Sequence, residues 1–191
     1  MTDADRYVNL GAFATMILVN ALATLLPLNG RTTGEISQLY PVLITPAPYT
    51  FAIWGLIYLL LAGFVIYQFM RPRDPRLRGF RHLFALSCVF NSAWIFAWHW
   101  EGIRLSLAIM LALLATLVTI YANIDAGGRP QSLTTFWILK IPFSIYLAWI
   151  SVATIVNVSV TLYAAEWDGW GISQTGWTAI MILAAAALAV L

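Results

Sequence analysis

Phe51, Trp54 and Tyr58 stand at i, i+3 and i+7, so on a helix their rings share one face. The spacing recurs. Asn91, Trp94 and Trp98 repeat it, and Tyr146 and Trp149 stand three apart with Asn157 eight positions further on. Asn9 and Asn20 lie 11 apart, close to three helical turns. Flat ring faces with a few amide and indole groups between them suit a large planar apolar ligand. They offer little to general acid–base catalysis, because the apolar runs of the chain contain no Asp or Glu. No metal-ligand spacing, G-x-S-x-G motif or P-loop occurs. His82 and His99 fall at opposite edges of one run, so both cannot hold one iron. Lys140, the only lysine, could pair with an acidic group on a ligand or snorkel to the membrane surface.

The elements that carry these residues are membrane elements. The chain has 191 residues, 61% hydrophobic and 9% charged, where soluble domains carry about 25% charged residues. Six apolar runs are visible: Tyr7 to Leu26, Phe51 to Met70, Leu83 to Trp98, Leu105 to Tyr121, Leu133 to Tyr163, and Trp177 to Leu191. A span needs roughly 17–25 residues. The fifth run is too long for one level helix, and Pro142 offers a place to bend. The sixth is short and looks cut off. The expectation is an all-α membrane protein of one domain, residues 1–191, with a core at 7–163 and an additional segment at 164–191. A lone Cys88 inside an apolar run can form no disulfide within the chain.

Arginines set the expected orientation. Arg71, Arg73, Arg76, Arg78 and Arg81 crowd the linker after the second run, which places it and the N-terminus in the cytoplasm. This run is read as topological and lipid-facing, with no nucleic acid involved. The segment from Pro27 to Tyr49 then lies outside, as a long loop without obvious structure and therefore a candidate lid. Pro46 and Pro48 stiffen its passage into the second helix.

Tryptophan also favours the membrane boundary. Trp98, Trp100, Trp167, Trp170 and Trp177 fall at the outer edge, where they would anchor the chain. Trp54, Trp94 and Trp149 lie within spans, on faces shared with polar groups, and would either line a pocket or pack helices. Amides are costly in hydrocarbon unless satisfied, so the asparagines should face inward. There they could meet a ligand or bond a neighbouring helix.

These motifs resemble the TspO/translocator-protein family, the tryptophan-rich sensory proteins or peripheral benzodiazepine receptors. Pro46, Pro48, Phe51, Trp54 and Tyr58 look like its second-helix signature. Asn91 and Trp94 look like its third-helix motif, and Tyr146, Trp149, Ala153 and Asn157 like its fifth-helix motif. Ala47 splits the prolines, the usual tryptophan before them is missing, and a sixth apolar segment follows, as in a divergent, longer branch. The resemblance implies a five-helix transmembrane bundle in a bacterial inner membrane. It implies a binding site made by Pro46, Pro48, Phe51, Trp54, Tyr58, Asn91, Trp94, Trp98, Tyr146, Trp149 and Asn157. The implied ligand is a tetrapyrrole such as porphyrin or haem, with no cofactor required, and a homodimer is compatible with the family. Three functions stay open: a receptor or carrier, an enzyme that degrades porphyrin, and a scaffold without a small-molecule ligand. Sterol patterns at Val65, Tyr67 and Arg71, and in reverse at Lys140, Phe143 and Leu147, are read as chance matches.

Overall fold

The computed structural model describes residues 1–26, 28–125 and 132–190, and every regular element among them is helical. Helix α1 (Asp3–Leu25) starts from a reciprocal cap in which Thr2 and Asp5 each accept the other's amide hydrogen. The expected loop is not structureless. It holds a short helix, α2 (Thr33–Gln38), with its own Thr32–Glu35 capping box. A 3-10 turn at Pro48–Ala52, with Pro48 at its first position, leads into α3 (Ile53–Met70). Then come α4 (Arg81–His99) and α5 (Ile103–Asp125). A single turn, α6 (Leu133–Thr135), and a π-helical stretch, Phe136–Lys140, precede α7 (Ile141–Ala164). The last helix, α8 (Gln174–Val190), starts three residues before the sixth apolar run.

Pro142 explains the π stretch. It has no N–H, and its ring clashes with the carbonyl four residues back, which belongs to Ile138 inside that stretch. The wider π hydrogen-bond ring takes up the misfit, so the long fifth run breaks its regularity beside its proline.

Helices α1, α4, α5, α7 and α3 pack in that order as a closed ring, and α8 packs against α7. Four helical stretches are long and apolar enough to cross a membrane: Asp3–Leu25, Tyr49–Met70, Ile103–Ile124 and Leu133–Ala164. Helix α4 runs alongside them, about 28 Å long at 1.5 Å per residue. It is more polar because the bundle encloses its Ser87, Asn91 and His99.

Buried amides tie the ring together. Asn9 donates to Gln68 Oε1 at 2.8 Å, joining α1 to α3. Asn20 donates to Asn91 Oδ1 at 2.8 Å, and Asn91 donates to the Tyr146 hydroxyl at 3.2 Å, so one chain links α1, α4 and α7. Asn157 and Ser106 meet at 3.3 Å between α7 and α5. Each such bond between helices contributes about 0.6 kcal/mol in a membrane. At the arginine-rich end Arg81 Nε bonds Asp5 Oδ2 at 3.3 Å, and Lys140 Nζ lies 5.8 Å from the centre of the Tyr121 ring. The neighbouring half of the interior is filled by Phe64, Phe80, Phe84 and Phe143, each fully buried, with centroids 4.9 to 6.1 Å apart. Phe143 and Val65 therefore pack inside the bundle, where lipid does not reach them. A polar hollow of about 990 Å³ lies outside these rings at the arginine-rich end, walled by Arg6, Tyr67, Arg71, Arg73 and Asp74, whereas the space beside the aromatic faces lies toward the other end, beneath α2.

Candidate ligand-binding site

Helix α2 is fastened as a roof. Thr32 Oγ1 accepts the Glu35 amide at 3.3 Å while Glu35 Oε2 accepts the Thr32 amide at 2.7 Å. The bond from the Thr32 backbone holds the Glu35 carboxyl below its usual range. Trp98 Nε1 donates to Thr33 O at 3.2 Å, and Asn29 Nδ2 donates to His99 O at 2.9 Å. The Arg31–Glu101 pair, at 3.0 Å, is exposed and adds little. Ile36 is buried beneath the roof.

Under it the rings of three helices meet. Trp54 stacks on Tyr58 with centroids 5.5 Å apart and turns an edge toward Tyr146 at 5.9 Å and Trp149 at 6.2 Å. Trp94 stacks on Trp98 at 5.4 Å. Phe51 lies in the 3-10 turn, one step before the α-helical face assigned to it from spacing. Its ring still meets Trp149 edge-on at 6.1 Å.

Two spaces adjoin these rings. A chamber of about 30 Å³ lies among Ser37, Pro46, Phe51, Trp94, Trp98, Trp149 and Asn157. A cleft of about 690 Å³ opens between α1 and α3 under α2, walled by Ile17, Asn20, Thr24, Gln38, Phe51, Trp54 and Tyr58. Phe51 lines both and partitions them. The cleft exists because α1 and α3 meet at their other ends, through Asn9–Gln68 and a Tyr7–Phe69 ring contact at 5.6 Å.

Among the described residues eight buried side-chain polar atoms find no partner, and four of them belong to this site: Ser37 Oγ, Trp94 Nε1 and Trp149 Nε1 on residues of the chamber, and Tyr58 Oη on a residue of the cleft. Such a group costs about 1–3 kcal/mol until something bonds it. The amides differ. Asn91 and Asn157 are engaged between helices, though Asn157 also lines the chamber.

The site thus gathers Pro46, Phe51, Trp54, Tyr58, Asn91, Trp94, Trp98, Tyr146, Trp149 and Asn157 at one end of the bundle, with Pro48 heading the turn that delivers Phe51. Trp98 is 3% exposed, so its place on the Asn91–Trp94 face outweighs its position near the boundary. Sequence reasoning missed Ser37, which no spacing marks. It also missed the α1 wall, although Asn20 already marked the inward face of that helix. His82 and His99 sit at opposite ends of α4. Among the described residues no group of three or more His, Cys, Asp and Glu side chains could hold a metal.

A ring of apolar helices, sealed by phenylalanines at one end and roofed over an aromatic cavity at the other, defines an integral membrane helical bundle. The family model described as TSPO-like protein matches residues 6–191. The chain belongs to that family, and the match runs beyond the motifs at 7–163 through α8. No curated protein and no solved structure matches the chain.

Proposed function

We propose that this protein is a membrane receptor or carrier for a planar hydrophobic ligand, and that a tetrapyrrole such as porphyrin or haem is the ligand class. The observation that carries the reading is the convergence of Trp54, Tyr58, Trp94 and Trp149 on the chamber and cleft, with three of their polar atoms and Ser37 Oγ left unbonded. The 690 Å³ cleft falls in the range of about 300–1,000 Å³ typical of small-molecule sites. The ligand lies edge-in between α1 and α3, against Trp54 and Tyr58. An acceptor atom reaches past Phe51 toward the indole N–H groups.

The crowded arginines between α3 and α4 support a cytoplasmic placement of that end, with α2 on the outer side of a bacterial inner membrane. A homodimer is part of the same reading. The test is a titration of the purified chain with protoporphyrin, following the absorption of the porphyrin. Saturable binding, weakened by Trp54→Phe and left intact by Trp170→Phe, is the expected result. Non-saturable uptake, equal in both variants, would favour a scaffold.

A further inference from the structure

The turn between α7 and α8 encloses a third space, about 160 Å³, that shares no lining residue with the chamber or the cleft. Tyr163, Trp167 and Trp177 give it ring surface, and Asp168 gives it a carboxylate. Val42, Leu43 and Ile44, from the segment after α2, close another side. We propose that this cavity binds a quaternary ammonium group, on a lipid headgroup or a free choline-like solute.

The rings are not ordinary boundary anchors. Trp167 and Trp177 are half-buried, and Trp177 Nε1 donates to Gly169 O at 2.9 Å, inside the protein. Gly169 permits this contact. Its φ is +68°, and a Cβ there would lie 3.2 Å from the Trp177 indole nitrogen. Trp167 and Trp177 stand 4.9 Å apart with planes tilted by 56°, so they make a corner where a stacked pair would leave none. Trp170 backs Trp167 at 5.2 Å, is 76% exposed, and is the boundary residue of the three.

Charge selects the sign of the occupant. From Ile141 to Leu191 the sequence contains no Lys or Arg, while Glu166 and Asp168 stand together on the turn. Among the described residues Asp168 accepts the Trp170 amide, at 3.0 Å, and forms no ion pair. Its carboxylate lines the same cavity as the two indoles. A cation over such faces is held by the ring quadrupole, most strongly when it sheds water easily. A methylated ammonium does so, whereas a small metal ion demands oxygen ligands that this wall of rings does not supply. A tetrapyrrole is too large for the space.

The test uses the full chain in a nonionic maltoside detergent, with choline as probe and saturation-transfer NMR on its methyl protons. Choline should give a saturable signal, and its uncharged isostere 3,3-dimethylbutanol should not. Asp168→Asn keeps the oxygen that accepts the Trp170 amide and so keeps the turn. It should weaken choline about fivefold or more while leaving the melting temperature and porphyrin binding unchanged. Trp167→Leu should abolish the signal. No saturable choline signal, equal binding of the isostere, or unchanged binding in Asp168→Asn would each overturn the proposal. Nanodiscs then separate the sources. If choline binds in phosphatidylglycerol discs and is displaced in phosphatidylcholine discs, the occupant is a lipid headgroup. Binding in both supports a soluble ammonium ligand.

Discussion

Trp94, Trp98 and Trp149 line one small chamber, yet their indole hydrogens have different fates. Trp98 donates to Thr33 O at 3.2 Å, while the other two find no partner among the described residues. Replacing each by Phe keeps a ring and removes one N–H. In Trp149→Phe the lost donor was unsatisfied, so about 1–3 kcal/mol of desolvation cost disappears. The smaller ring sacrifices some packing of comparable size, so the stability of the ligand-free protein should stay within about 1 kcal/mol of the parent. Trp94→Phe should behave alike. Trp98→Phe should lose a made bond, about 0.5–1.5 kcal/mol, and loosen α2. Ligand affinity should move differently. If the two free indoles bond an acceptor on the ligand, each substitution costs about 1–3 kcal/mol of binding, a fall of about 5- to 150-fold. Unfolding in mixed micelles measures the first quantity and porphyrin absorption titration the second. Should Trp149→Phe destabilise the ligand-free protein as much as Trp98→Phe while binding stays unchanged, the free donors are packing residues and the reasoning fails.

Three further outcomes follow from the same geometry. Asn91→Ala leaves the fully buried Tyr146 hydroxyl and an Asn20 amide hydrogen without their partner, which should cost about 1–3 kcal/mol of stability. Adding Tyr146→Phe should recover part of it, and strict additivity in a double-mutant cycle would show that the chain is not coupled. For the roof, the Glu35 carboxyl is held below its ordinary pKa of about 4.3. Its contribution to α2 is therefore complete above that value and lost as pH falls through the depressed one. Hydrogen exchange should show α2 amides losing protection below about pH 4 while α4 amides do not, and no such difference would argue against the cap. Finally, the chamber and cleft offer no Lys or Arg to a carboxylate, so protoporphyrin dimethyl ester should bind within about threefold of the diacid. A loss beyond about tenfold would place the acid groups in an ion pair.

Much of this arrangement was legible in the residues because hydrocarbon makes the rules strict. Asn9, Asn20, Asn91 and Asn157 had to turn inward, since nothing in lipid could satisfy them. Their spacing fixed the inner faces of α1, α4 and α7, and with them the rings beside Asn91 and Asn157. The amides then resolve toward neighbouring helices, one of the two uses that remained open. What could not be read depended on partners distant in the chain. Trp98 looked like a boundary residue until Thr33 folded over it, and Trp177 until Gly169 met its indole. The split into a tight chamber and a wide cleft follows from one ring, Phe51, placed by a 3-10 turn that periodicity assigned to an α-helix. Ser37 had no mark at all, because a serine in a loop acquires meaning only when α2 buries it.

The distribution of polar atoms limits what this cavity can recognise. In its half of the bundle the amides are already engaged between helices, so changing them to suit a ligand would loosen the ring of helices. On the lining of the chamber and cleft, the groups left over among the described residues are two indole N–H donors and two hydroxyls, all neutral. Neutral donors in an apolar enclosure can bond a carbonyl, an ether or a ring nitrogen at little cost. They cannot repay the desolvation of a full negative charge. On the proposed reading, then, the ring system of a tetrapyrrole occupies the cleft and its carboxylates stay in solvent at the cleft mouth, clear of Glu35, whose carboxylate lines the α2 side. The same argument explains why the site is wide on the α1 side and closed by phenylalanines at the arginine-rich end: a ligand with an apolar body and charged arms needs one dry wall and one wet rim. That division of labour makes the face between α1 and α3, rather than the closed chamber behind Phe51, the part of the bundle where ligand size is decided.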